Sequence, residues 1–248
     1  MKNLTAAQKI NNIYKNLSDE VDKLTFGDRV LCVYNPLSYA RAGHECYIKK
    51  FAHENIKGIF LGMNPGPYGM AQNGVPFGEI NAVKYFLGID NILIEQPEKI
   101  HPLYPVEGFK CARSEISGKR LWKLFQDKFN DADNFFGDYI VLNHCPLMFI
   151  ARGSGKRGAR NLTPDNLRKA EREKLYSVCN SALKEVLNIL CPKFAIGIGK
   201  YAYDRLNEVA DEKIKVVKIL HPSPASPLSA KDWDIKASQL LQAAGIWS

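Results

Sequence analysis

With 248 residues, 46% hydrophobic and 24% charged, the chain has enough apolar material for a sizeable core and the balance of an ordinary globular protein. A formal charge of +8 favours polyanionic partners, nucleic acid above all. No run reaches the ~18 apolar residues of a membrane-spanning helix, and no apolar stretch follows Met1-Lys2-Asn3, so neither a membrane anchor nor a signal peptide is expected.

The six cysteines (Cys32, Cys46, Cys111, Cys145, Cys179, Cys191) contain no C-x-x-C pair. This spacing speaks against a zinc ribbon, a cysteine-ligated cluster and a disulfide framework, and fits reduced thiols in a cytoplasmic protein.

In chain order, residues 3–24 place Ile10, Ile13, Tyr14, Leu17, Val21 and Leu24 at spacings of three and four, an amphipathic helix. Phe26–Tyr34 is a short apolar run ended by Asn35-Pro36. Over Tyr39–Lys50 the pattern is mixed; Tyr47 and Phe51 are expected to pack, with Arg41, His44 and the lysines in water. Gly58–Leu61 reads as a buried strand that breaks at Asn64-Pro65-Gly66-Pro67, where two prolines and a glycine end regular structure. The loop from there to Glu79 is long and rich in Gly and Pro. It reads either as a rigid surface turn or as an ordered functional loop.

Asn81–Leu87 then reads as a helix, Ile92–Phe109 as loop, Leu121–Phe129 as a helix and Tyr139–Leu142 as a second strand running into Asn143. Arg152–Asn161 carries four basic residues on a glycine-rich segment, either a phosphate contact or a solvated loop. Thr163-Pro164-Asp165 is read as the start of a helix reaching Leu190. Phe194–Gly197 and Ile214–Leu220 are the third and fourth strands, separated by a helix over Lys200–Val209 and followed by one over Ala230–Ala244. Strands alternating with helices predict one α/β domain over residues 1–248, a three-layer α/β/α arrangement around a central, mostly parallel sheet.

Asn64, Asn143, Gly199 and His221 each lie just after a predicted strand. In such sheets the ligand crevice lies beyond the carboxyl ends of the strands, so these four positions are expected to converge. Gly197-Ile198-Gly199-Lys200-Tyr201-Ala202 fits a dinucleotide fingerprint, but no acidic residue stands about twenty positions on; the same glycines could instead admit a DNA phosphate to a helix N-terminus. There is no phosphate-binding G-x-x-x-x-G-K-[ST] loop, no H-x-x-x-H pair and no G-x-S-x-G elbow.

Gly62-Met63-Asn64-Pro65-Gly66-Pro67 and His221-Pro222-Ser223-Pro224 resemble the corresponding motifs of the single-strand-selective monofunctional uracil-DNA glycosylases, family 3 of the uracil-DNA glycosylase superfamily. The likeness runs from about residue 28 to 245. It includes Gly69–Gln72, Gly74–Glu79, Ser114-Glu115, Asn143 with Cys145-Pro146-Leu147, Arg160–Pro164 and Gly197–Gly199.

The resemblance implies a base-flipping hydrolase of the N-glycosidic bond that uses no cofactor. It acts as a monomer on single- and double-stranded DNA, in the cytoplasm or nucleoid of a bacterium or the nucleus of a eukaryote. It assigns Phe77 to stacking on the flipped base and Asn143 to recognition of uracil, donating to O4 and accepting from N3–H. His221 is assigned to stabilising the departing uracil anion at O2, and Asn64 to positioning the attacking water. Met63, Gly66 and Met70 complete the base site, the last two through backbone that holds a water near C5, so that 5-hydroxymethyluracil is an expected substrate. Arg160, Asn161, Gly199, Lys200, Ser223, Pro224 and Ala225 are the expected DNA contacts. No lysine in these motifs matches a Schiff-base nucleophile, which implies no lyase step. Asn73, His144 and the Ala225-Ser226 pair depart from the vertebrate pattern, which has Thr, an apolar or aromatic residue, and Arg-Asn there. The missing arginine bears on double-stranded DNA, where Leu228 or Lys231 could substitute. The rival readings are a non-catalytic nucleic-acid-binding domain on the same scaffold and a dinucleotide-dependent enzyme.

Overall fold

The structure, a computed structural model, describes residues 4–153, 158–224 and 231–248. Helix α1 (Ala6–Asp22) starts at Thr5, whose side chain accepts from the Gln8 N–H while the Gln8 side chain accepts from the Thr5 N–H. This reciprocal cap fixes the start of the amphipathic pattern, and Ile10, Ile13, Tyr14, Leu17 and Val21 are buried as the spacing requires.

Four strands form a parallel sheet in the order β3-β2-β6-β7: β2 (Gly58–Gly62), β3 (Tyr139–Asn143), β6 (Phe194–Ile198) and β7 (Lys215–Ile219). The chain passes from β2 outward to β3, then returns to the other side of β2 for β6 and β7. The order therefore reverses between β2 and β6, and the crevice of such a sheet opens there, beyond the strand ends. Strand β2, flanked by β3 and β6, is buried at all five positions, as expected for a parallel strand covered on both faces. Helices gather in two groups. In one, α1 packs on α3 (Arg41–Phe51) and α7 (Lys169–Leu190), and α7 on α8 (Lys200–Val209). In the other, α5 (Ile116–Phe129) packs on α6 (Ala132–Phe136) and α9 (Trp233–Ala243).

A second, antiparallel sheet, β1-β4-β5, joins β1 (Val30–Tyr34), β4 (Met148–Arg152) and β5 (Ala159–Leu162). Most of β5 and the last residue of β4 fall in the segment Arg152–Asn161 read as basic and glycine-rich, and the rest of β4 is a strand that the sequence pattern did not predict. The described parts of 152–161 belong to a hairpin, with Gly153 N–H donating to Gly158 O.

Four further expectations are corrected. Thr163-Pro164 opens only a single 3-10 turn (Pro164–Asn166), and α7 begins after Arg168, where the Glu171 carboxylate caps the Arg168 N–H. His44 is buried, 2% exposed, because α3 is a true helix that places it against Tyr14, with Nδ1 on Gly74 O at 3.0 Å. The segment read as a helix over Asn81–Leu87 is one π turn (Ala82–Phe86) that leaves Tyr85 82% exposed. Helix α5 starts five residues earlier than its apolar face suggests, because Glu115 caps it by accepting from the N–H groups of Ser117 and Gly118. No described helix is long and apolar enough to cross a membrane.

Candidate active site at the strand ends

The four strand-end positions converge. A cavity of about 240 Å³ at the carboxyl edge of the parallel sheet is walled by Met63, Asn64 and Gly66 after β2, Asn143 ending β3, and His221 and Ser223 beyond β7, with the Phe77 ring set against Gly62. Its volume lies below the ~300–1,000 Å³ of sites for drug-sized ligands and suits a small heterocycle. A larger depression of about 550 Å³ is lined by Asp22, Glu95 and Glu98 against the single cation Lys99, a net negative wall that disfavours a polyanion.

The corner after β3 is zipped to the end of β2. His144 N–H donates to Gly62 O at 3.1 Å, Cys145 N–H to Met63 O at 2.9 Å, and the Asn64 Nδ2 to Leu147 O at 3.0 Å. The last bond uses one hydrogen of the Asn64 amide nitrogen and fixes the side chain, with Oδ1 as its acceptor end. Asn143 Nδ2 donates one hydrogen to the Met70 sulfur at 3.3 Å, while Asn143 Oδ1 is buried without a partner. A thioether sulfur has no hydrogen to give, so this contact fixes which end of the carboxamide is the nitrogen. The result is one free N–H and one unsatisfied carbonyl oxygen side by side, a pairing that asks for a ligand with an acceptor next to an N–H. An unsatisfied buried acceptor is costly, which makes this a site prepared for a partner.

His221 is held by its neighbours. Ser223 N–H donates to His221 Nδ1 at 3.1 Å, Arg120 donates to Pro222 O at 3.1 Å, and the Trp233 indole donates to Leu220 O at 2.8 Å. Since Nδ1 accepts, the ring proton of the neutral imidazole sits on Nε2. Burial lowers the His221 pKa to about 4, so the ring is uncharged at neutral pH. Its ring lies 6.1 Å from that of Phe77, tilted by 37°.

The loop between Asn64 and Phe77 is ordered by a short helix, α4 (Met70–Asn73), and by two buried amides. Gln72 donates to Pro67 O and Pro105 O and accepts from the N–H groups of Glu107 and Gly108, four bonds that use the whole carboxamide. Asn73 spans the far end, accepting from Val75 N–H at 3.0 Å and donating to Gly78 O at 2.7 Å. The departure at Asn73 thus closes the loop. That at His144 is likewise internal: Asn180 donates its own hydrogens to Glu208, so its oxygen takes the His144 Nε2 hydrogen, and Nδ1 accepts from the Tyr201 hydroxyl. Burial lowers its pKa to about 4 as well.

The remaining expected residues divide. Met70 sits behind Asn143. Asn161 lines the cavity with its Oδ1 buried and unpartnered. Gly199, at φ 88°, backs His221: a Cβ there would meet the His221 Cβ at 3.2 Å. A Cβ on Gly197 would meet Tyr203 N at 2.5 Å, so both glycines of the fingerprint serve packing within the protein. Arg160, Lys200 and Pro224 are exposed and do not line the cavity, and Lys200 pairs with Asp204 at 2.6 Å. Ala225, Leu228 and the rest of 225–230 lie outside the described residues.

Glu115 and Thr163 also line the cavity, although the sequence reading gave neither a role of its own. Burial raises the Glu115 carboxyl above its usual range. The Ser-Glu pair before α5 is a helix-start signal that could have drawn attention to it. Among the described residues no three His, Cys, Asp or Glu side chains cluster closely enough to hold a metal ion.

The chain is similar to known proteins in fold and in sequence. The crystal structure of wild-type Pedobacter heparinus SMUG2 superposes with a TM-score of 0.71 over 98% of both chains at 17% sequence identity, a likeness of fold. The single-strand selective monofunctional uracil-DNA glycosylase of Rattus norvegicus is 39% identical over 233 residues, covering 93% of this chain and 82% of the relative. The Mus musculus protein of that name is 38% identical over the same length, covering 81% of the relative. The model of the uracil DNA glycosylase superfamily matches residues 48–242. With a family match over most of its length and relatives of this similarity, the chain belongs to the uracil DNA glycosylase superfamily and groups there with the single-strand-selective monofunctional members.

Proposed function

We propose that this chain is a monofunctional uracil-DNA glycosylase: it flips uracil out of DNA into the strand-end cavity and hydrolyses the N-glycosidic bond, leaving an abasic site. The observation that carries the reading is the buried, unpartnered Oδ1 of Asn143 beside its one free N–H. Uracil offers the matching edge, an N3–H next to the O4 acceptor. Cytosine offers the reverse and would leave two buried groups unpaired, a mismatch that sites of this kind discriminate by ~10⁴ or more.

In this mechanism the base leaves as an anion while the deoxyribose gains oxocarbenium character. His221, neutral and with its proton on Nε2, donates to O2 and stabilises the charge that develops there, a contribution of about 3 kcal/mol for such donors. A neutral donor needs no proton transfer to act. Asn64 accepts a hydrogen from the attacking water through Oδ1 and orients it, since an amide cannot act as a strong base at neutral pH. Phe77 stacks on the flipped base, and Gly66 presents bare backbone to the cavity beside the Glu115 side chain, which lies 3.4 Å from where a Cβ would stand. 5-Substituted uracils such as 5-hydroxymethyluracil are included among the proposed substrates. Asn161, Ser223 and the basic surface follow the DNA strand on either side, and the domain acts as a monomer.

Incubation of the protein in excess with a labelled single-stranded oligonucleotide containing one uracil is expected to release free uracil and leave an alkali-labile abasic site. Absence of release overnight would refute the proposal. Asn64→Ala and His221→Ala are each expected to slow release by ~10² or more while the protein stays folded. Near-normal rates for both would leave the activity but remove these residues from the mechanism.

A further inference from the structure

Phe77 has a backbone that its type disfavours. Its φ is +52°, in the left-handed region, which a bulky side chain rarely adopts and which persists only where the surroundings impose it. Its ring has little room to adjust, because a Cβ on Gly62 would lie 2.4 Å from it, so the ring rests directly on the β2 backbone.

What imposes the conformation is on α5. The Trp122 indole N–H donates to Phe77 O at 2.9 Å, and the same carbonyl accepts from Glu79 N–H at 2.7 Å. Gly118, one turn earlier, makes this approach possible: a Cβ there would sit 2.1 Å from Phe77 O. Trp122 is itself fixed, 1% exposed among Phe86, Phe125, Phe135 and Phe136. It reaches no lining position of the cavity.

We propose that Trp122 is a positioning residue for base stacking: its indole N–H clamps the Phe77 carbonyl and keeps the ring aimed into the cavity. The inference rests on the reading of Phe77 as the stacking residue and goes one layer further, to the group that holds it. Packing alone does not account for the contact, because a buried indole N–H could have been matched by any acceptor. Here it is spent on the carbonyl of Phe77, the one aromatic residue with a positive φ among the described residues.

The test is a double-mutant cycle read by affinity for a single-stranded oligonucleotide carrying 2′-fluoro-2′-deoxyuridine. The electron-withdrawing fluorine resists oxocarbenium formation and holds the complex before bond cleavage. Trp122→Phe is expected to weaken binding about tenfold in the parent protein and less than about twofold in a Phe77→Ala background, where no ring remains to be aimed. A purely structural loss would weaken both backgrounds equally, and that additive result would overturn the inference, as would an unchanged affinity of Trp122→Phe. Should Trp122→Phe fold poorly, incorporation of benzothienylalanine at position 122 removes the N–H with almost no change of shape and carries the same expectations. The two layers separate cleanly. Uracil release by the parent with an additive cycle would overturn the role of Trp122 alone, whereas no release by the parent would overturn the glycosylase reading and this inference with it.

Discussion

Gly62→Ala is the most informative small change in this protein. A Cβ at position 62 would lie 2.3 Å from Asn143 Oδ1 and 2.4 and 2.9 Å from two carbons of the Phe77 ring. Ordinary contacts begin near 3.4 Å, so a single methyl asks the Asn143 amide and the Phe77 ring each to retreat by about 1 Å. Neither can do so freely: Asn143 is tied to the Met70 sulfur, and the Phe77 carbonyl to Trp122. Misplacement of reacting groups by about 1 Å costs roughly a hundredfold in rate, close to 2.7 kcal/mol. Overpacking a buried strand costs about 1–3 kcal/mol of stability, which a domain of this size survives. Single-turnover uracil release with enzyme in excess, beside urea denaturation, measures the two effects separately. Gly58→Ala is the control: at the other end of the same strand its Cβ would crowd Phe194 O and the Tyr139 ring at 3.1 and 3.2 Å, away from the cavity. It is expected to lose stability with an unchanged rate. A Gly62→Ala protein within about threefold of the parent rate, or a Gly58→Ala protein that slows as much, would refute the reasoning.

Asn143→Asp exchanges the free N–H for an acceptor, which no longer matches O4 but can take the N4 hydrogens of cytosine. The uracil-to-cytosine preference is expected to fall by at least about tenfold in competitive excision, and an unchanged ratio would remove the residue from recognition. The buried His44 and His144 and the half-buried His221 have pKa values lowered from 6.5 to about 4 by desolvation. The unfolded chain therefore binds protons that the folded one refuses. Stability is fully present above about pH 6.5 and falls as the pH drops toward 4, by up to about 3 kcal/mol per histidine. Denaturation midpoints across that range check this, and a flat profile would contradict it. Gln72→Ala strips four hydrogen bonds from the loop and is expected to cost about 2–4 kcal/mol in urea denaturation, with a loss under 1 kcal/mol counting against its role as the staple of the loop.

Much of this architecture was legible in the sequence where local pattern and tertiary environment agree. The four parallel strands are short apolar runs closed by Gly, Asn or Pro, and the positions just after them did converge. Asn64, Asn143 and His221 line the cavity, while Gly199 stands behind His221. The failures share a physical cause. Strands β4 and β5 carry little local signal: Met148–Arg152 comes just after Pro146 and runs into glycines, Ala159–Leu162 contains two polar residues, and the hairpin is held by pairing with distant β1. With β5 unseen, the cavity positions of Asn161 and Thr163 could not be derived from topology. His44 was placed in water by residue type, but a helix phase set by Tyr47 and Phe51 turns it inward. At Thr163-Pro164 the proline does open a turn, but Thr163 makes no side-chain cap and only one turn closes, because Leu167 and Arg168 return to extended backbone before α7.

The three rungs that join 62–64 to 144–147 have a consequence for how this chain can vary in length. Only four residues separate β3 from β4, and in that span the chain leaves a parallel sheet for an antiparallel one. Gly62 O, Met63 O and the Asn64 amide each engage a successive part of it. Inserting or deleting one residue there would shift the rungs by one step, turning side chains at one strand end away from the cavity and those of the next strand out of register. The corner therefore acts as a gauge block between two sheets: its residue types can change, as His144 illustrates, while its residue count is locked.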